Sequence, residues 1–232
     1  MKTRLAAEWG NERAAELYAA FVADTMDRFR TTGDRRFVGY TPDDAASAGY
    51  FANVARGDFE LWPQPGGTLG ERLEAFFQMA FAAGAARVVV IGSDSPTLPR
   101  EYVEQAFELL TGLETVPAGN VEGSVVTTRS AAGSVLGPAT DGGYYLVGLR
   151  DRIPPIFSDV EWSTRGVLRQ TVARLGQCGV SLALLPPWYD VDTFEDVELL
   201  RGHLDALKAA GGHFPAQTAA VLCSGGIPSR GG

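Results

Sequence analysis

The sequence predicts an α/β fold, a three-layer α/β/α domain around a mostly parallel central sheet, and three observations carry that prediction. Short β-branched or aromatic runs alternate with segments whose apolar residues recur at helical spacing. The run Arg87-Val-Val-Val-Ile91, closed by Gly92, reads as a fully buried parallel strand. At 232 residues and 45% hydrophobic content, the chain can bury one full core.

Each element follows from local pattern. Asn11 is read as the cap of a helix whose Tyr18, Phe21, Val22, Met26 and Phe29 share one buried face. A strand over 36–40 ends at Thr41-Pro-Asp-Asp44, a small helix follows over 45–55, and 59–62 reads as a strand. Leu73, Phe76, Phe77, Ala80 and Phe81 mark a helix over 69–83, directly before the strand at 88–91. Thr97 is assigned as the cap of a helix over 100–110. Residues 112–134, rich in Gly, Ser and Thr, read as an insertion with one extra strand at 124–128. Strands at 135–136 and 144–149 flank Asp141-Gly-Gly143, and Ser163 is read as the cap of a helix reaching Cys178. A strand at 181–185 and a helix at 194–210 complete a single domain over 1–210, with 211–232 expected to be loosely ordered.

Composition narrows function. A net charge of −8 opposes nucleic-acid binding, and no apolar run is long enough to span a membrane. The N-terminus lacks the apolar core of a secretion signal, so a cytoplasmic location is expected. Two cysteines and two histidines offer no zinc spacing, whereas 28 Asp plus Glu supply hard oxygen donors suited to Mg2+ or Mn2+.

Four segments can carry chemistry. Asp94 follows the strand at 88–91, at the sheet edge where ligands of open α/β folds sit; with capping given to Thr97, function is the favoured reading. In Tyr189-Asp-Val-Asp-Thr-Phe-Glu-Asp196, a Thr193–Asp196 cap explains the helix start but not Asp190 or Asp192. Converging Asp94 and Asp192 would form a pair of ligands for a cation that also binds a diphosphate. Asp141-Gly142-Gly143 is either a hairpin turn or a loop whose backbone approaches a ligand while Asp141 orients a hydroxyl. Gln64-Pro-Gly66-Gly67 runs into a helix N-terminus that can hold an anion, with Gln64 reading a base edge.

Lys2-Thr-Arg-Leu5, Trp62-Pro-Gln64, Gly67-Thr-Leu-Gly-Glu-Arg-Leu73, Gly92-Ser-Asp-Ser-Pro96, Leu136 to Leu146, Trp162-Ser-Thr164 and Asp190-Val-Asp-Thr193 stand in a characteristic order and spacing. Together they resemble the bacterial radical-SAM/selenodomain-associated transferase 1 family, a glycosyltransferase-A-like group. The resemblance implies a nucleotide-diphospho-sugar transferase fold. It puts the family's metal positions on Asp94 and Asp192, the sugar or acceptor loop on Asp141, Gly142 and Gly143, and the phosphate-embracing segment on Lys2 and Arg4, with Ser93 beside them. Members of that family open with an apolar strand and a Pro-Gly loop ahead of the Lys-Thr-Arg-Leu segment. The expectation is therefore a sheet lacking its first strand, which an upstream reading frame would supply. The implied activity is metal-dependent glycosyl transfer from a nucleotide sugar to an unidentified acceptor. The alternatives are nucleotidyl transfer with pyrophosphate release, or an inactive nucleotide-binding relative.

Overall fold

The computed structural model describes residues 3–115, 126–128 and 132–224. Helices α1 (Thr3–Trp9) and α2 (Asn11–Phe29) lead into β1 (Phe37–Tyr40), α3 (Ala45–Ala55), β2 (Glu60–Pro63), α4 (Leu69–Ala82) and β3 (Arg87–Ile91). Next come α5 (Arg100–Thr111), the short strands β4 (Leu113–Thr115) and β5 (Val126–Thr128), and the hairpin of β6 (Ser134–Pro138) and β7 (Tyr144–Arg150). The chain ends in α6 (Val167–Gln177), β8 (Leu182–Leu184), α7 (Phe194–Ala210) and α8 (Ala216–Ser224).

The larger sheet has the order β3-β7-β6-β8. β7 runs antiparallel to both β3 and β6, and β6 runs parallel to β8, so three strands point one way and β7 the other. β1 and β2 form a separate parallel pair, and β4 and β5 an antiparallel ribbon. Apolar layers close both faces of the larger sheet. On one face Phe77 and Ala80 of α4 and Leu175 of α6 pack with Val88, Leu136 and Val147. On the other, Val103, Ala106 and Leu110 of α5 join Phe29, Val135, Leu146 and the half-buried Val89 and Ile91. A third cluster ties α1, α2, α7 and α8 together through Leu5, Leu17, Phe21, Leu200 and Leu222. The larger sheet is thus the middle layer of an α/β/α sandwich, with helices on both of its faces.

β3 differs from the fully buried parallel strand expected of it. Among the described residues its one strand neighbour is antiparallel, and only Val88 of the strand is buried, because its second edge opens on a cleft. Three expected caps also differ. The cap position of α2 is Gly10, with Asn11 the first helical residue. Thr97 is buried and turned to Tyr189, so α5 starts after Pro99 without a side-chain cap. Ser163 lies at φ +65° in the preceding turn, and α6 begins after Gly166. The expected loose tail from 211 onward contains α8. Its first turn is held by the buried Asp24 carboxylate, which accepts from the Gln217 and Thr218 amides at 3.2 and 2.7 Å.

α4 has the strongest local start signal. Thr68 Oγ1 accepts from the Glu71 amide at 3.3 Å, while the Glu71 carboxylate accepts from the Thr68 amide at 2.7 Å. Thr68→Ala should cost about 1 kcal/mol, measurable as a Tm loss of roughly 2–4 °C. The Thr68 amide holds the Glu71 carboxyl below its ordinary range. Its folded value therefore lies under its unfolded one, so this cap contributes fully above the ordinary carboxylate range and fades as pH falls through the depressed value. Glu71→Gln should lower Tm at neutral pH, and the gap to wild type should close in acid.

Candidate active site

Three loops converge beyond one end of the larger sheet, and backbone hydrogen bonds explain why. β6 and β8 lie side by side, and past their ends the Trp188 amide donates to Pro138 O at 3.0 Å and the Thr140 amide to Trp188 O at 3.1 Å. This ladder brings the Asp141 turn beside residues 188–192. The loop after β3 is fixed to the same segment: the Val191 amide donates to Asp94 O at 2.9 Å, and Ser95 Oγ donates to Tyr189 O at 2.9 Å. Thr97 Oγ1 donates to the Tyr189 hydroxyl at 2.9 Å, and that hydroxyl also meets His203 Nδ1 at 2.7 Å. Burial pushes the Tyr189 phenol up and the His203 imidazole down from their ordinary values, so both stay neutral at physiological pH. Arg28 closes the loop from below by donating to the carbonyls of Thr97 and Leu98.

The result is a trio of carboxylates. Asp141, Asp190 and Asp192 each offer an oxygen within 4.8 Å of the other two. Asp141 is exposed, and its Oδ1 accepts from the Gly143 amide at 2.7 Å, which fixes the side chain in the turn. Asp190 and Asp192 are half-buried. The helix start consumes a different acid: the Asp196 carboxylate accepts from the Asp192 and Thr193 amides at 3.0 and 2.8 Å. Three carboxylates at this spacing are hard oxygen donors that could hold a divalent cation.

Asp192 is thus brought together with Asp141 and Asp190, and Asp94 stands outside the trio on the adjoining loop. All four line one cleft of about 1470 Å³. Arg4, Gln64, Ser93 and Gly143 line it too. The Gln64 side chain lies against Gly39, where a Cβ would meet its amide nitrogen at 3.0 Å, and Ser93 Oγ bonds the Tyr18 hydroxyl at 2.8 Å. Gly66, Gly67 and Gly142 are not part of the lining, and Lys2 lies outside the described residues. Gly67, at φ +112°, folds against the Glu71 carboxylate and so serves the capping turn. Gly142, at φ +95°, lets the turn pass against the Arg165 backbone.

Sequence reasoning left two contributors out of the site. Capping does not explain Asp190, and its place in the trio depends on a cross-strand register that no local pattern encodes. Arg72 lines the cleft from the second turn of α4 and reaches Gln64 Oε1 at 3.4 Å. Its place four residues after the Thr68 cap is the signal in the sequence.

One solved structure supports this architecture over nearly the whole chain, and it has the nucleotide-diphospho-sugar transferase fold. A protein from Desulfovibrio desulfuricans G20, provisionally named a nucleotide-diphospho-sugar transferase, has a crystal structure 30% identical to the chain, covering 97% of it and 88% of its own length, with a TM-score of 0.79. A 4-diphosphocytidyl-2C-methyl-D-erythritol synthase structure is 14% identical, with a TM-score of 0.49, over 78% of this chain and 86% of its own. No curated protein matches the chain. Among the described residues, no helix is long and apolar enough to cross a membrane. Residues 25–164 match the model of the uncharacterised proteins conserved in bacteria, DUF2064, and the chain belongs to that family.

Proposed function

We propose that the protein is a metal-dependent glycosyltransferase that moves a sugar from a nucleotide diphosphate to an acceptor, as expected of the radical-SAM/selenodomain-associated transferase 1 group. The observation that carries this reading is the carboxylate trio of Asp141, Asp190 and Asp192 at the end of the sheet, inside a large cleft. Its support is the similarity, over nearly the whole chain, to the Desulfovibrio protein named for such a transferase.

Asp190, Asp192 and Asp141 would hold Mg2+ or Mn2+. When bound, the cation supplies positive charge to the diphosphate and to its leaving oxygen. Asp94, across the Val191 amide bond from the trio, is assigned to a hydroxyl of the sugar or acceptor, which it would orient by accepting a hydrogen bond. Arg4, with Lys2 ahead of it, and Arg72 contribute cations toward the phosphates, and Gln64 and Ser93 supply polar contacts to the nucleotide. The Asp141 turn, closed by the Gly143 amide on Asp141 and the Gly143 carbonyl on the Ala139 amide, faces the sugar or acceptor.

Product analysis tests the reading. Incubation with a panel of nucleotide sugars, manganese and cell-extract acceptors should release nucleoside diphosphate. Pyrophosphate from nucleoside triphosphates would instead establish nucleotidyl transfer. Neither product, with no ligand-induced rise in Tm, would establish an inactive relative. Asp94→Asn should preserve the manganese-dependent Tm rise while lowering turnover roughly 100-fold, as loss of one positioning contact in a preorganised site does. Loss of the manganese response in that variant would move Asp94 into the metal set.

A further inference from the structure

Asp190 and Asp192 stand in residues 185–193, which carry one isolated bridge at Trp188 and otherwise neither strand nor helix. A pair of ligands for a cation needs its backbone fixed, and regular structure does not fix it here. The two ends of the segment are tied, by the Ala139–Trp188 bridge on one side and by the Asp196 carboxylate on the Asp192 amide on the other. Between them stands Tyr189.

Tyr189 is bonded through both its backbone and its side chain. Its carbonyl accepts from Ser95 Oγ at 2.9 Å, and its hydroxyl lies between Thr97 Oγ1 at 2.9 Å and His203 Nδ1 at 2.7 Å. The protons of this chain have one consistent direction. Thr97 donates its single hydroxyl proton to Tyr189, so Tyr189 donates to His203, and the neutral imidazole carries its proton on Nε2. Burial holds the imidazole below its ordinary value, which keeps Nδ1 an acceptor. Thr97 is itself anchored, since its carbonyl and that of Leu98 accept from the buried Arg28 at 3.2 and 2.8 Å. The chain therefore runs from the loop after β3, through the acidic segment, to the third turn of α7.

Packing alone does not call for these groups. The Tyr189 ring stacks on Trp188 at 5.7 Å and packs against the cluster of Val191 and Leu200. Phenylalanine would fill that space without a hydroxyl and an imidazole that must be paired to offset their desolvation. A fully bonded polar chain in such a place selects one geometry. Here it is the geometry of the acidic segment against the Asp94 loop, completed by the Val191 amide on Asp94 O at 2.9 Å.

We propose that Tyr189 and His203 are positioning residues of the acidic site, the hydroxyl bonded between Thr97 and His203 holding Asp190 and Asp192 in place against the loops of Asp94 and Asp141. Neither residue lines the cleft, so each acts through the backbone it fixes. The part of the chain in cation binding rests on the reading of the trio as the metal site, and its part in fixing the segment does not.

Amide hydrogen exchange read by NMR and manganese binding followed by electron paramagnetic resonance test this on the full chain. Tyr189→Phe removes the central hydroxyl. His203→Leu removes the acceptor, and His203→Asn restores an acceptor oxygen near the Nδ1 position. Exchange at Val191 is read as a ratio to Val180, whose amide bonds Leu175 O beyond the C-terminal end of α6, so that a loss of global stability moves both. Tyr189→Phe and His203→Leu should raise that ratio more than about tenfold and weaken manganese binding roughly tenfold, and His203→Asn should bring both within about threefold of wild type. An unchanged ratio in Tyr189→Phe, or His203→Asn as impaired as His203→Leu, would overturn the proposal. Faster exchange with wild-type manganese affinity would do the same, by making the chain structural only. Wild-type protein that binds no manganese would remove the metal reading instead, and the exchange ratio would then decide the positioning role by itself.

Discussion

Asp192→Asn will abolish the manganese-dependent rise in Tm and lower transfer by roughly 100-fold or more, while the protein without metal melts close to wild type. The amide keeps the size and one oxygen of the side chain but removes the charge that draws a divalent ion. Loss of a group that only orients a metal ligand costs 10- to 100-fold, and a direct ligand stands at or beyond the upper end of that range. Folding is spared because the α7 cap rests on Thr193 and Asp196, whose two-way bonds do not use the Asp192 carboxylate. Asp190→Asn should behave alike. Thermal melts with and without manganese, followed by single-turnover assays, check the claim. A manganese response unchanged in both variants would remove the trio as the metal site and leave the transferase reading without its main support.

The contrast between Asp196 and Asp190 shows how far sequence reasoning reaches. The Thr193–Asp196 box lies within four residues, and the structure contains it as expected. The start of α4 is equally local, with Thr68 and Glu71 in one turn. Asp190 joins Asp141 only because β6 pairs with β8 and Ala139 bridges to Trp188, contacts set by tertiary register across about fifty residues of chain. The misassigned caps fail for a related reason. Thr97 has the right residue type beside Pro99, but Tyr189, 92 residues away, takes its hydroxyl. Likewise α8 follows a Gly-Gly pair and precedes a glycine-rich end, and its first turn is held by Asp24, 193 and 194 residues earlier. Helices and their order follow from local periodicity, whereas convergence of side chains follows from pairings that cost chain entropy and leave no short-range signature.

Gly142→Ala should destabilise the fold by about 3 kcal/mol and disable the site in the same step. Gly142 sits at φ +95°, a conformation that costs an L-residue about 1–3 kcal/mol. The added Cβ would also fall on the Arg165 carbonyl and Cα, which are backbone atoms that cannot swing aside. The Gly142 carbonyl accepts from the Leu168 amide at 3.0 Å, so displacing the turn also loosens the first turn of α6. Asp141 precedes it directly, and its carboxylate is aimed by the Gly143 amide at 2.7 Å. Any shift that relieves the clash therefore carries one ligand of the trio away from Asp190 and Asp192. For a chain of this size, the expected Tm loss is roughly 6–12 °C. Gly143→Ala is the control. Its Cβ would meet only the Asp141 side chain at 3.2 Å, with no backbone in the way, so it should perturb manganese binding more than stability. Equal losses of Tm in the two variants would show that the Arg165 contact does not constrain the turn, and that the aim of Asp141 is set elsewhere.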